Sequence, residues 1–186
     1  MDFDQLKPIV ETLIFASDVP IPADQIRTLV ENATVEDIQK AVEQLNLAYT
    51  QTDRSFHIVH IAGGYQLVTH ESYAPWVKKL FQGRIKTKLS QAAMEALSII
   101  AFRQPVSKTE IEAIRGVNCD GVVRTLMERK LITISGRGEG PGKPLLYKTT
   151  REFLRYMGIN DLSDLPKPRE IEELFKEQSV YSDTVE

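Results

Sequence analysis

The chain holds almost nothing from which redox or metal chemistry is built. It has one cysteine and three histidines in 186 residues. A lone Cys119 forms no internal disulfide and offers no second thiol to a metal, so a reducing cytoplasmic compartment is the expected home. No histidine lies in the segment around it to act as a base, which argues against a thiol nucleophile. His57 and His60 would project from opposite faces of one strand, and His70 brings no carboxylate at ligand spacing, so no metal site is expected. No apolar run approaches the roughly 18 residues of a membrane-spanning helix, and nothing resembles a signal peptide. The glycine-rich run at 136–143 is no phosphate loop. The position five before Gly142 is Arg137, and Pro144 stands where the metal-binding hydroxyl belongs. Catalysis, cofactors, small-molecule substrates and membranes are therefore not expected.

What is present is most legible between Leu89 and Thr150. Ser90 is placed to cap a helix with Leu89, Ala93, Ala96, Leu97, Ile100 and Ala101 on one face. Pro105 ends that run, because it lacks the donor and clashes with the preceding turn. Ser107 and Glu110 form a capping box for a short second helix that is expected to bury Ile111 and Ile114 and to stop at Gly116. Asn118 is the expected cap of a third helix burying Val122, Val123, Leu126 and Met127. Leu131 to Ser135 and Leu145 to Lys148 then read as paired strands around an exposed loop. Three helices followed by a hairpin make a winged-helix unit.

The unit occurs twice. Ala16, Pro20, Ile21, Ile26 and Leu29 match Ala101, Pro105, Val106, Ile111 and Ile114 at a constant offset of 85 positions. In the first copy Leu6, Ile9, Val10, Leu13 and Ile14 line one helix, and Pro22 suits the first turn of the next. Thr34 with Asp37 begins a third, carrying Val35, Ile38, Val42 and Leu45. A hairpin follows, Phe56 to Ala62 and Tyr65 to Thr69, with Gly63–Gly64 as its turn. The fold class expected is mainly α with small β-hairpins (α+β), as two tandem winged-helix domains. The boundaries are 1–83, 84–157 and an acidic, proline-containing, mostly disordered tail, 158–186. Within that tail, Ile171, Leu174 and Phe175 are spaced to make one apolar helical turn.

Charge divides along the same boundaries. Residues 1–83 carry 6 Lys and Arg against 11 Asp and Glu, residues 84–157 carry 14 against 7, and the tail 3 against 8. A basic middle segment fits nucleic acid, an acidic protein partner, or the chain's own tail. The expected solvent face of the third helix, Asp120, Arg124 and Glu128, sets two carboxylates beside one arginine. Phosphates repel such a face, so at most weak, non-specific DNA binding is expected. Two readings remain: a protein-binding scaffold subunit, and a winged-helix DNA-binding transcriptional regulator.

Specific runs of residues bear on the choice. They are Leu89-Ser90-Gln91-Ala92-Ala93, Ile99-Ile100-Ala101-Phe102 with Gln104-Pro105-Val106, and Ile114-Arg115-Gly116-Val117-Asn118 leading to Asp120-Gly121-Val122. Arg124-Thr125-Leu126, Gly136-Arg137, Gly140-Pro141-Gly142-Lys143-Pro144, Tyr147 and Glu152-Phe153-Leu154 continue the pattern. From about Leu6 to Pro166 the chain resembles the segregation and condensation protein B family, with mild departures at Lys143, where arginine is common, and at Cys119, where serine often sits. The resemblance implies a non-enzymatic subunit of the bacterial SMC–kleisin condensin complex, acting in chromosome condensation and segregation. It implies a homodimer through the first domain that clasps the kleisin subunit ScpA and, through it, SMC, in the nucleoid-associated cytoplasm.

Surface residues follow from composition and hot-spot chemistry. Phe3, Phe15, Phe56 and Tyr65 exceed what one small core needs and are the expected dimer contacts. Arg137, Lys143 and Tyr147 place charge beside an aromatic anchor in a glycine-framed loop, the expected partner surface. Phe102 and Arg103 are the alternative. Trp76, Val77, Leu80 and Phe81 read as a helix packed across a hairpin, because large aromatics favour cores.

Overall fold

The computed structural model describes residues 3–81, 88–139 and 142–166. The first unit runs α1 (Phe3–Ala16), α2 (Ala23–Leu29), α3 (Val35–Gln51), β1 (Phe56–Ile61) and β2 (Gly64–Thr69). A 3-10 turn at Glu71–Tyr73 leads into α4 (Ala74–Leu80). The second unit runs α5 (Gln91–Arg103), β3 (Val106–Ser107), α6 (Lys108–Arg115), α7 (Asp120–Glu128), β4 (Ile132–Arg137), β5 (Leu145–Thr149) and α8 (Arg151–Met157). The fold is α+β, mainly helical with small antiparallel sheets, as the sequence predicts.

Each unit encloses its own core. Leu6, Val10 and Ile14 of α1 meet Ile26, Ile38, Val42 and Ile58 in the first. Leu97 and Ile100 of α5 meet Ile111, Val123, Leu126 and Phe153 in the second. The helix starts lie where local chemistry puts them. Thr34 with Asp37 and Ser107 with Glu110 form reciprocal capping boxes, Ser90 accepts from Ala93 N–H, and Gly116 ends α6 at φ 73°. Asn118 accepts from Asp120 N–H at 3.0 Å, but the residue flanking α7 is Cys119, whose side chain caps nothing. Pro22 stands immediately before α2 rather than in its first turn.

The segment after the first helix pairs with the hairpin in both units. Ile21 and Tyr65 exchange two 2.9 Å backbone hydrogen bonds, while Val106 pairs with Tyr147 and Ser107 with Leu146 across β3 and β5. This crossing corrects the expected first turn. Ile61 pairs with Gly64, so the two-residue turn is Ala62–Gly63, both with positive φ. Gly64 belongs to β2 for another reason. A Cβ there would lie 2.8 Å from the Ile21 carbonyl carbon and 2.9 Å from that of Pro20. Side-chain amides pin each hairpin further. Asn46 donates to Ile58 C=O and accepts Ile58 N–H, and Gln104 Oε1 accepts from Thr149 N–H at 2.7 Å.

Several expected core residues face outward. Ile114 is 52% exposed, and Met127 is also exposed, because among the described residues no element covers that side of α6 or α7. Trp76, Leu80 and Phe81 are exposed too, correcting the reading of α4 as packed across a hairpin; among the described residues α4 meets chiefly the 3-10 turn before it. The start of the expected tail belongs to the folded chain. Ile159 and Leu165 pack on the second core, Ile159 C=O accepts from Ala62 N–H at 3.0 Å, and Asn160 Oδ1 accepts from Gly63 N–H at 3.4 Å. Ile171, Leu174 and Phe175 lie outside the described residues.

Two outcomes follow from this packing. Gly64→Ala is expected to lower stability by about 1–3 kcal/mol, since the new methyl has only backbone to push against; thermal melts that match the parent would remove the crossing from the account. The Thr34 hydroxyl and amide hold the Asp37 carboxyl below its ordinary value, and Ser107 does the same for Glu110. Folded values lie below unfolded ones, so this stabilisation is full above the ordinary carboxylate range and is lost as pH falls through the depressed values. Asp37→Asn with Glu110→Gln is expected to flatten the loss of stability below about pH 4, measured by melts across pH.

Candidate partner-binding surfaces

The third helix of the second unit has no free charge to offer a phosphate backbone. Lys108 Nζ pairs with Asp120, and Arg124 Nε donates to Glu128 at 2.9 Å. The Lys108 hydrogen bond, with that of Asn118, holds the Asp120 carboxyl below its usual range. Acid and base on this face satisfy one another, which leaves little for base edges. Cys119 is buried beside the same helix, its amide donating to Glu112 Oε1 at 3.0 Å. Burial, then the Glu112 charge, pushes its thiol up, away from the reactive thiolate. The imidazoles of His57 and His70 stack with centroids 4.5 Å apart, and burial pulls the His57 value down.

The wing residues divide. Arg137 and Lys143 come together, the Arg137 guanidinium donating to Lys143 C=O at 3.1 Å, and both side chains are exposed. Tyr147 does not join them. It is 7% exposed, part of the second core, because its place in β5 opposite Val106 turns it inward. Tyr147 is thus a packing residue under the wing rather than an anchor at its tip. Phe102 and Arg103 are exposed at the other end of β5, where Gln104 grips Thr149. Phe102 borders an apolar groove of about 120 Å³ with Met94, Met157, Leu165 and Pro166.

The expected dimer residues divide as well. Phe15 and Phe56 line one apolar groove of about 500 Å³ with Glu11, Tyr49, Leu67 and Val68. Tyr49 stacks edge-on against Phe56 at 5.1 Å and donates to Glu11 Oε1 at 2.6 Å. Burial and then that carboxylate push the Tyr49 phenol well above its ordinary value. Phe3 lies elsewhere, beside Leu6 and Asn32, and Tyr65 is 7% exposed in the core because its strand is crossed by Ile21. Sequence reasoning missed the exposure of Trp76 and Leu80. The available signal was the brevity of α4 and the pair of lysines in its last turn.

The described surface thus holds apolar grooves, a charged end of the second hairpin and a third helix whose charges are paired. The model of the family described as "Segregation and condensation complex subunit ScpB" matches residues 8–168. A protein of Syntrophotalea carbinolica named "Segregation and condensation protein B" is 43% identical over 95% of this chain and 89% of its own length. The crystal structure of ScpB from Mycobacterium tuberculosis is 33% identical, covering 86% of this chain and 99% of that one, with a TM-score of 0.41. A solved dimer of an ScpB N-terminal domain complexed with ScpA peptide is 28% identical over 42% of this chain and 96% of that one, with a TM-score of 0.38. The chain belongs to the segregation and condensation protein B family. No helix among the described residues is long and apolar enough to cross a membrane.

DNA binding provides a direct check on the paired charges of α7. Binding through the basic excess of residues 84–157 is expected to be weak, indifferent to sequence, and steeply weakened by salt through counterion release. Anisotropy titrations with several duplexes at rising salt test this; a sequence-selective complex that survives physiological salt contradicts it.

Proposed function

We propose that the chain is a non-enzymatic scaffold subunit of the bacterial SMC–kleisin condensin complex, a homodimer that binds the kleisin subunit ScpA and through it SMC. The observation that carries this reading is family membership across residues 8–168. It is supported by the pairing of the charges on α7, Asp120 with Lys108 and Arg124 with Glu128. The two units act as tandem winged-helix domains, the first dimerising and the second binding the partner, with the second extending to about Pro166. Assembly with SMC places the protein on the nucleoid. The alternative of a DNA-binding regulator gains nothing from the family description and is opposed by α7.

The kleisin surface proposed is the tip of the second hairpin. Arg137 and Lys143 are exposed, and their loop is framed by Gly142 at φ 77° and by Pro144, which limits the entropy lost when a partner orders it. Arginine is enriched among binding hot spots. Arg137→Glu with Lys143→Glu is expected to weaken binding of a kleisin fragment by about 1–3 kcal/mol with the fold and the dimer intact. Calorimetry measures the affinity, with circular dichroism to confirm folding. An unchanged affinity in the folded variant moves the site to the groove beside Phe102 and Arg103.

A further inference from the structure

The seven-residue helix α4 carries an apolar face that no described residue covers. Trp76 is 65% exposed and Leu80 77%, four residues apart on one face, and Tyr73 extends the stripe with its ring 6.3 Å from that of Trp76. Isolated helices shorter than about 12–15 residues are marginal in water, so a helix of this length needs a surface to lie on. Its own 3-10 turn is too small to supply one.

The first unit presents a surface of matching character elsewhere. The groove between α1, the end of α3 and the hairpin is lined by Phe56, Leu67 and Val68, and Phe15, 76% exposed, stands at its rim. Charge matches too. Every acid of residues 1–83 lies at or before Glu71, whereas α4 contributes Lys78 and Lys79 and no acid. Glu11 is the acid among the groove's lining residues. Thr69 lines the groove and α4 begins five residues later, yet the apolar face of α4 remains outside it.

We propose that the occupant of this groove is α4 of a second copy of the chain, with Trp76 and Leu80 seated between α1 and the hairpin. A two-fold pair makes the contact twice, each copy giving a helix and receiving one. Both apolar faces are covered at once, and the lysines of each helix approach the acidic surface of the other copy. The inference rests on the homodimer reading and names the elements that make the dimer.

Trp76 is the single tryptophan, so its emission reports on α4 alone. Full-length protein is diluted through the range in which light scattering passes from dimer to monomer. The emission is expected to move to longer wavelength in step with dissociation. If the dimer survives every dilution, iodide quenching decides: a shielded Trp76 supports the proposal and a freely quenched one overturns it. Phe15→Glu on the groove and Leu80→Glu on the helix change exposed side chains, and each is expected to shift the protein toward monomer. A mixture of the two variants retains one intact contact per pair and is expected to form heterodimers weaker than the parent dimer. A dimer whose Trp76 emission stays that of an exposed indole overturns the α4 assignment and leaves the homodimer standing. A protein monomeric at every concentration removes the homodimer itself. A shielded Trp76 in a monomer means that α4 closes on its own groove, and shielding that appears only with a kleisin fragment gives the site to the kleisin; both overturn the proposal.

Discussion

The architecture of each unit depends on a short crossing of backbone. Ile21 meets Tyr65, and Val106 meets Tyr147, where the chain leaving the first helix lies against the returning strand of the hairpin. That contact makes one body of the hairpin and the helices, although only the stretch at Val106–Ser107 is a strand in its own right. It also buries both tyrosines and leaves no room for a side chain at Gly64. Once the hairpin is fixed in this way, its tip is the part that extends beyond the core, and the tip is where Arg137 and Lys143 stand.

Charge and apolar area are distributed to opposite effect. The charges of α7 are spent on near neighbours, Asp120 on Lys108 of α6 and Arg124 on Glu128, in two surface pairs. Such exposed pairs contribute little to stability, but they quiet a face that in other three-helix units meets DNA. Apolar residues are left uncovered on the first unit, at Phe15 and along α4. Large side chains left exposed in this way are a common mark of a protein interface.

The sequence made local chemistry legible and tertiary neighbours obscure. Thr34 with Asp37, Ser107 with Glu110, and Gly116 were readable because cap and capped amide lie within three or four residues of each other. The core faces of α1, α3 and α5 were readable because apolar spacing repeats over several turns. Ile114 and Met127 misled, since periodicity shows which side of a helix is apolar and not whether anything packs there. Leu29 and Ile114, matched by the repeat, are both exposed, so a shared place in the pattern carries no core role. The turn at Ala62–Gly63 was misplaced by one residue because Gly64 looked like turn chemistry, whereas its small size answers the backbone at Pro20 and Ile21, more than forty residues earlier. The amides of Asn46 and Gln104 left no trace in any pattern, because a pin between a side chain and distant backbone has no local spacing.

The meeting of the first hairpin with Ile159 has a consequence for how this protein is compared with its relatives. The closer of its two hydrogen bonds runs from the Ala62 amide to the Ile159 carbonyl, atoms that every residue except proline supplies at the donor and all supply at the acceptor. Substitution on either side therefore leaves the bond's chemistry intact, and the bond ties neither residue's identity to the other's. Covariation between the two positions would pass over it, since Ala62 answers to its positive φ and Ile159 to the second core. The bond's partners are recorded in the course of the main chain, a record that only coordinates preserve.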